Sequence, residues 1–122
     1  MDNKAVFITG ANGQLGRALQ RVFPNATALS HQDLDITNKT AVDSFDWQHG
    51  SVIINAAAWT NVDAAEKPEN FHQVDLVNHQ AVRFLAEAAT KHNLTLVHVS
   101  SEYVFDGSRI IHYEDEPFSP LN

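Results

Sequence analysis

Residues 4–16 read KAVFITGANGQLG, and this stretch decides the fold. The run at 4–9 is apolar and rich in β-formers, which predicts a strand buried in a parallel sheet. Glycines follow at positions 10, 13 and 16, in the spacing G-x-x-G-x-x-G. From Gln14 to Phe23 the apolar residues recur at helical spacing, and Pro24 stops the pattern. The sequence therefore predicts a buried strand, a glycine-rich turn and a helix in direct succession.

The glycine-rich turn has the features of a dinucleotide phosphate site. Gly10 permits the tight turn from strand to helix, Gly13 leaves room for a phosphate against the backbone, and Gly16 lets the helix pack close to the strand. Backbone N–H groups near Gln14 and Leu15 then face a pyrophosphate at the positive end of the helix dipole. The glycine spacing alone is a weak signal, but its place between a buried strand and a helix predicts a bound dinucleotide rather than an empty turn.

The rest of the chain repeats the alternation of strand and helix. NATALS at 25–30 predicts a weaker second strand, SVIIN at 51–55 a buried third strand, and LTLVHV at 94–99 a fourth. A helix after LDITN has Thr37 or Asn38 as its N-cap. A long helix runs from about residue 70 to residue 92. Its apolar stripe is predicted to be Phe71, Val74, Ala81, Leu85 and Ala88. Since such alternation implies right-handed crossovers, we predict one α/β domain over residues 1–122, with a doubly wound parallel sheet.

Composition limits the class of protein and its partners. The chain has 122 residues, of which 43% are hydrophobic and 19% charged, as in ordinary soluble globular domains. A net charge of -7 without any Lys/Arg cluster argues against a nucleic-acid partner. There is no cysteine, and the seven histidines lack ligand spacing, so no metal site is predicted. Without a signal peptide or a membrane-length apolar run, we expect a cytoplasmic protein with no membrane partner.

The end of the second strand bears on the choice of cofactor. An acidic residue there would accept a hydrogen bond from the ribose 2′-hydroxyl of NADH and repel the 2′-phosphate of NADPH. This strand ends in Ser30 and His31, neither of which is acidic. A hydroxyl and an imidazole permit NADPH without requiring it. No arginine is present at this strand end to strengthen the case for NADPH. We therefore expect NADPH as the cofactor, with NADH as the alternative.

Five segments, taken together, resemble one family. In chain order they are ITGANGQLGRAL, LDITN, VIINAAAWTNVDAAE, LVHVSSEYVFDG and EDEPFSPLN. They are similar to the N-terminal part of the extended short-chain dehydrogenases/reductases, and within these to the dTDP-4-dehydrorhamnose reductases. The resemblance covers essentially the whole chain. It implies an NAD(P)-binding Rossmann fold and the NAD(P)H-dependent reduction of the C4 keto group of dTDP-4-dehydro-L-rhamnose, a nucleotide sugar. The product would be dTDP-L-rhamnose for cell-surface polysaccharide.

The resemblance also assigns residues to the cofactor. They follow the strand ends along the chain: Gly10, Gly13, Gln14, Leu15, Gly16, Ser30, Asp35, Ile36, Ala57, Ala58, Trp59, Thr60 and Asn78. Ser30 would lie at the adenosine ribose, and Asp35 would accept from the adenine amine beside Ile36. The small-residue loop 57–60 would pass the central phosphates and the nicotinamide ribose. Asn78 would support the active site, although a solvated helix residue is an equally good interpretation by physics alone.

The strand end "VSSEYVF" receives the substrate role from the same resemblance. Ser101 and Glu102 would lie beside the transferring hydride. The Ser101 hydroxyl would hydrogen-bond the sugar C4 oxygen and so act in catalysis, and the carboxylate of Glu102 would orient the sugar through its hydroxyls. Glu102 is one methylene longer than the aspartate that the family more often has. Residues 103–105 are expected to pack in the core and the loop.

One part of the family's machinery is missing from these residues. Reductases of this superfamily use a Tyr-x-x-x-Lys pair as proton donor, but Gly107 and Pro117 stand four residues after Tyr103 and Tyr113. We therefore expect a truncated piece of a longer reductase that is inactive alone.

The strand at 94–99 would then lie at an open sheet edge, and association, for instance as a homodimer, or marginal stability would follow. The resemblance also allows a Mg²⁺ ion in the full-length family. Two alternatives remain open: a non-catalytic dinucleotide-binding regulatory module, and another extended reductase or epimerase acting on nucleotide sugars.

Overall fold

A four-stranded parallel sheet organises the chain in a computed structural model that describes residues 6–122. The strands stand in the order β2-β1-β3-β4. Their bounds are β1 (Val6–Thr9), β2 (Thr27–Leu29), β3 (Val52–Asn55) and β4 (Thr95–His98). The first two residues of the predicted first strand, at 4 and 5, lie outside the described residues. All pairings are parallel, which confirms the predicted sheet.

The register aligns the carboxyl ends of the four strands. Thr9 pairs with Leu29 on one side and with Asn55 on the other, and Asn55 pairs with His98. The last residue of every strand therefore lies in one row across the sheet. Ligands of open α/β sheets bind just outside this edge. The residues that follow each strand are thus brought together although they are far apart in the sequence.

Within residues 6–122, five α-helices connect and cover the strands. Their bounds are α1 (Gln14–Val22), α2 (Lys39–Ser44), α3 (Val62–Ala65), α4 (Phe71–Asp75) and α5 (Ala81–His92). A π-helical segment, Leu76–Gln80, joins α4 to α5, so the predicted long helix is present as one continuous path. Asn38 is the N-cap of α2, and its side-chain oxygen accepts from the N–H of Ala41 at 3.1 Å. The predicted cap is therefore confirmed.

Hydrophobic side chains pack on both faces of the sheet, which confirms the doubly wound α/β class. On one face Leu19 and Phe23, from α1 and its end, pack against Val6, Ile8 and Ile54. The larger cluster lies on the other face and is formed by β-strand residues together with α2, α5 and the loop before β3. None of the helices within residues 6–122 has the length and apolarity needed to cross a membrane.

Trp47 anchors the larger cluster. The side chain is fully buried, and its indole N–H donates to the carbonyl oxygen of Val42 at 3.0 Å. Its ring meets Phe7 nearly at a right angle, with 5.1 Å between centroids, and Phe45 at 4.5 Å. Burying a tryptophan removes a large apolar surface from water, and the hydrogen bond satisfies its one polar atom. This anchor holds the loop before β3 against the middle of the sheet.

Some apolar side chains lie at more exposed positions than the sequence pattern indicates. Phe71 was predicted on the apolar stripe of the long helix but is 54% exposed, because the π-helical turn shifts the helical phase before the buried face of α5 begins. In α1, Leu15 is exposed, because the helix meets the sheet through Gly16 and Leu19. Tyr103, expected to pack in the core, is also exposed.

Strand β4 forms one edge of the sheet, as predicted for residues 94–99. Val97 and Val99 are 44% and 51% exposed there. An edge strand with unpaired backbone groups and exposed apolar side chains favours pairing with another segment. Association through this edge stays a prediction.

Residues 105–122 contain no helix or strand. Ring stacking, side-chain contacts and a backbone hydrogen bond hold this segment in place. The Phe105 ring stacks on the His112 ring with 4.0 Å between centroids, and the Ser119 N–H donates to the Val104 carbonyl at 2.7 Å. The Glu116 carboxylate is only 10% exposed and contacts His112 Nδ1 at 3.1 Å. Although desolvation would raise the pKa of Glu116, hydrogen bonds from His112 and the Tyr113 N–H leave that pKa lowered.

We expect this segment to loosen in acid. Because the folded pKa of Glu116 is lowered, its stabilisation is present above the usual glutamate pKa of about 4.3 and is lost as pH falls through the folded value. The hydrogen-exchange protection factors of the amides of residues 105–119, measured across that range, should fall in one step. The Glu116→Gln variant should lack the step and Glu114→Gln, an exposed neighbour, should keep it. An unchanged step in Glu116→Gln would contradict the assignment.

Candidate active site at the carboxyl edge of the sheet

A polar junction joins three strands at the carboxyl edge, and its side chains on the two central strands are buried. The Thr9 hydroxyl donates to Asn55 Oδ1 at 2.6 Å, and both side chains are 1% exposed. The same oxygen accepts from the Ala57 N–H at 3.1 Å. The Asn55 amide nitrogen therefore faces His98 and donates to its Nδ1 at 3.2 Å. Because an amide nitrogen can only donate, Nδ1 of His98 is the acceptor in this contact.

The sequence analysis missed this junction. A signal was nevertheless present, because Thr9 and Asn55 are the polar last residues of two otherwise apolar, buried strands. Polar side chains in such buried places are retained only where they find partners.

Gly10 brings the first turn against the loop that follows β3. Its φ is +69°, a left-handed conformation that favours glycine. A Cβ on Gly10 would lie 2.6 Å from the Ala57 nitrogen and 2.8 Å from the Ala56 carbonyl oxygen. The Ala56 N–H in turn donates to the Thr9 carbonyl at 3.2 Å. Gly10 is thus required both by the turn and by the neighbouring loop.

Gly13 and Gly16 have different tasks. A Cβ on Gly16 would lie 2.1 Å from the Gly10 carbonyl oxygen, so Gly16 is required for packing. A Cβ on Gly13 would meet only that same oxygen, at an ordinary 3.4 Å, so the protein itself leaves the space beside Gly13 open. Helix α1 begins at Gln14 without a side-chain cap. Its first N–H groups and the open space fit a pyrophosphate at the helix N-terminus.

The residues assigned to the adenosine follow β2. Asp35 Oδ1 accepts from the Thr37 N–H at 3.0 Å and from the Thr37 hydroxyl at 2.7 Å, so its second oxygen is the one available to an adenine amine. Ile36 belongs to the hydrophobic core and offers little side-chain surface. Ser30 is not free, because its hydroxyl and its N–H both donate to Asp33. The sequence analysis did not single out Asp33.

The loop assigned to the nicotinamide side is clasped by Asn78. The Trp59 N–H donates to Asn78 Oδ1 at 2.8 Å, and Asn78 Nδ2 donates to the Trp59 carbonyl at 3.2 Å. Asn78 lies in the π-helical segment, a kind of turn found frequently at functional sites. The clasp favours the supporting role for Asn78 over that of a solvated residue. Ala58 and Thr60, on either side of Trp59, are exposed along the loop, and Ala57 is half-buried.

Ser101 and Glu102 line two neighbouring cavities. Ser101 lines one of about 560 Å³ together with Trp59 and Asn78. Glu102 lines the other, of about 490 Å³, together with Asp106. The glycine-rich turn lines neither cavity. The structure thus brings Ser101, but not Glu102, into one cavity with the clasped loop.

The hydroxyl of Ser101 is set up to donate. Ser101 precedes a short 3₁₀ turn, Glu102–Val104, and its Oγ accepts from the Tyr103 N–H at 3.2 Å. A hydroxyl that accepts from the backbone keeps its own proton for another acceptor. That acceptor could be a carbonyl oxygen in the cavity.

The described residues give no support to the Mg²⁺ ion that the resemblance allows. Within residues 6–122, no three His, Asp or Glu side chains are grouped so as to hold a metal ion.

Comparison with known proteins identifies relatives over the whole described region. A family model described as the RmlD substrate binding domain matches residues 4–122. The dTDP-4-dehydrorhamnose reductase of Aggregatibacter actinomycetemcomitans is 45% identical over 116 residues, which cover 90% of this chain and 39% of that protein. The dTDP-4-keto-6-deoxy-D-glucose reductase of Streptomyces niveus is 38% identical over 121 residues, 94% of this chain and 41% of that protein.

A solved structure is similar in fold as well. It is the dTDP-4-dehydrorhamnose reductase of Bacillus anthracis str. Ames in complex with NADP, with a TM-score of 0.88 and 36% identity. The match covers 96% of this chain and 44% of that one. The chain therefore spans about two fifths of the length of the relatives it matches.

The clasp predicts a specific effect of Asn78→Ala. Because the Trp59 N–H loses its acceptor, its hydrogen exchange should accelerate by about tenfold or more, the equivalent of roughly one lost hydrogen bond. Amide exchange followed by NMR measures this directly. Gln73→Ala, at an exposed position of α4, should leave the Trp59 amide unchanged. Equal exchange in Asn78→Ala and the unmodified chain would refute the clasp.

Proposed function

We propose, because this chain belongs to the RmlD substrate binding domain family, that it is the dinucleotide-binding part of a reductase acting on a dTDP-activated 4-keto sugar. The observation on which the proposal depends is the position of Ser101. Its hydroxyl is free to donate a hydrogen bond. Ser101 lines one cavity with Trp59, on the loop assigned to the nicotinamide, and with Asn78, which is hydrogen-bonded to that loop. A donor beside a hydride source is the arrangement that carbonyl reduction requires.

The glycine-rich turn supports NAD(P)H as cofactor. The open space at Gly13 and the uncapped N–H groups of Gln14 and Leu15 would hold the pyrophosphate. The loop 57–60 would then lie along the nicotinamide ribose. The Bacillus anthracis relative was solved with NADP, which supports the same cofactor class here. Bound in this way, reduced nicotinamide would supply the hydride for the reaction.

The chain's own residues would handle the carbonyl group. Ser101 would donate a hydrogen bond from its hydroxyl to the C4 oxygen of the sugar and so stabilise the negative charge that this oxygen gains. Its hydrogen bond from the Tyr103 N–H fixes the hydroxyl oxygen before substrate arrives. Glu102, in the neighbouring cavity, would accept from the sugar hydroxyls. We assign the proton donor to a part of the protein outside these residues, since no Tyr-x-x-x-Lys pair occurs among them.

The relatives' names indicate the substrate class. One is named for dTDP-4-dehydrorhamnose and another for dTDP-4-keto-6-deoxy-D-glucose, so both names describe 4-keto sugars on dTDP. We propose dTDP-4-dehydro-L-rhamnose as substrate and dTDP-L-rhamnose as product. Rhamnose for cell-surface polysaccharide, made in the cytoplasm, is the corresponding biological role.

The test is turnover by the protein of its natural length. With dTDP-4-dehydrorhamnose present, NAD(P)H should be oxidised at a rate proportional to enzyme. Ser101→Ala should lower kcat by about 100-fold or more, the usual loss for a removed oxyanion donor, with the Kd of the cofactor unchanged. Ser101→Thr, which keeps a hydroxyl, should retain most of the rate.

Ser108→Ala provides the matched control, because it removes an exposed hydroxyl in the loop beyond the 3₁₀ turn. It should leave kcat unchanged. Cofactor binding without any turnover would overturn the proposal and favour a non-catalytic binding module. An unaltered rate in Ser101→Ala would exclude Ser101 from the reaction.

A further inference from the structure

We infer that the carboxylate of Asp33 directs the cofactor preference of this protein toward NADH and away from NADPH. The inference rests on the proposed function, since it concerns the adenosine ribose end of the same cofactor site. It reverses the expectation drawn from the sequence, in which the second strand ends without an acidic residue.

The position of Ser30 relative to the glycine-rich turn is well defined. Leu29 pairs with Thr9 in the sheet, and the Ala11 N–H donates to the Leu29 carbonyl at 3.1 Å. Ser30 is therefore the first residue beyond β2, directly beside the turn that would hold the pyrophosphate. In this fold the group at that position reads the 2′ position of the adenosine ribose.

Asp33 places its carboxylate on Ser30. Asp33 Oδ2 accepts from the Ser30 N–H at 2.8 Å and from the Ser30 hydroxyl at 2.6 Å. The chain turns tightly here, because the N–H groups of Asp33 and Leu34 both donate to the Ser30 carbonyl, at 3.1 and 3.0 Å. Leu29 and Leu34, at the two ends of the turn, are each 6% exposed and fix it to the core. An acidic group thus reaches the strand end from three residues further along the chain.

The charge of this carboxylate suits NADH. The hydroxyl of Ser30 and then its N–H lower the pKa of Asp33, so the group stays ionised at neutral pH. The side chain is exposed, and the two contacts with Ser30 use Oδ2, so Oδ1 faces away from them. A carboxylate oxygen at this place can accept from a ribose 2′-hydroxyl, whereas it repels a 2′-phosphate.

The segment that follows β2 contributes little positive charge to offset that repulsion. Residues 30–38 contain neither lysine nor arginine, and Lys39 is engaged by Asp43 at 2.7 Å and by Glu87 at 3.4 Å. His31 is the remaining basic side chain of this segment, and its Nδ1 lies 3.8 Å from Asp35 Oδ1. The Ser30 hydroxyl, which the sequence analysis offered to NADPH, already donates to Asp33. The segment therefore presents negative charge where the 2′-phosphate would lie.

The experiment compares the Kd values of NADH and NADPH by isothermal titration calorimetry, using the protein of its natural length. We expect NADH to bind at least about tenfold more tightly, because the carboxylate repels the 2′-phosphate. Asp33→Asn keeps an oxygen for Ser30 but removes the charge. This variant should lower the Kd of NADPH at least about tenfold and bring the two values together. Asp46→Asn is the matched control, because Asp46 is also exposed and also accepts from a nearby backbone N–H, that of Gln48 at 3.0 Å, in the loop before β3.

Each outcome separates the inference from the proposed function. Tight NADH binding with the preference lost in Asp33→Asn and kept in Asp46→Asn supports the inference. A preference for NADPH, or an equal change of the ratio in both variants, overturns it while the proposed function stands. If neither NADH nor NADPH binds, both the inference and the proposed function are overturned. Thermal unfolding of the variants is the check on folding, and because both Kd values come from one protein sample, their ratio is independent of the folded fraction.

Discussion

One buried hydrogen bond, from the hydroxyl of Thr9 to the side chain of Asn55, is the constraint on which the site depends. It joins the ends of the two central strands, and the oxygen that accepts it also accepts from the Ala57 N–H. A buried polar group without a partner would cost about 1–3 kcal/mol, so this pair holds together only in the native register. The glycine-rich turn and the loop after β3 are thereby fixed against each other, at the close approach that Gly10 alone permits.

The remaining parts of the site are arranged around this junction at increasing distance from the core. Beneath it, Trp47 and the larger hydrophobic cluster hold the sheet rigid. Above it lie loops, and loops positioned by a rigid scaffold are where binding and catalytic residues occur most often. The clasp between Asn78 and Trp59 extends the fixed region outward to the cavity that Ser101 lines. The glycine-rich turn and the hydroxyl of Ser101 thus lie on loops that follow strands at one edge of the sheet.

Local patterns predicted the elements of this fold well. The strands, the glycine-rich turn and the N-cap at Asn38 all depend on short stretches of sequence, whereas the open edge at β4 was predicted from the part of the family's machinery that is missing. The junction of Thr9 with Asn55 could not be predicted in the same way, because its partners are 46 residues apart and meet only through the strand register. Phe71 was misplaced because a π-helical turn changes the helical phase without any glycine or proline to mark it.

The acidic group at the end of β2 was missed for a related reason. The prediction considered only the residues at the end of the strand. In the structure the carboxylate belongs to Asp33, in a turn whose two ends are buried leucines. The side-chain roles assigned by resemblance stay predictions, although most of the residues that carry them follow strand ends at one edge of the sheet. They could not show which oxygen of each side chain is already bonded within the protein.

We propose that the space beside Gly13 holds the pyrophosphate of the cofactor. The first measurement to make is therefore the affinity of the Gly13→Ala variant for reduced nicotinamide dinucleotides. The added Cβ meets only the Gly10 carbonyl oxygen, at 3.4 Å, and residue 13 has a φ of -74° that alanine adopts readily. We expect Gly13→Ala to have an unchanged melting temperature and a Kd for the dinucleotide that is raised at least about tenfold, measured by calorimetry. A variant that binds the dinucleotide as tightly as the unmodified protein would contradict the account.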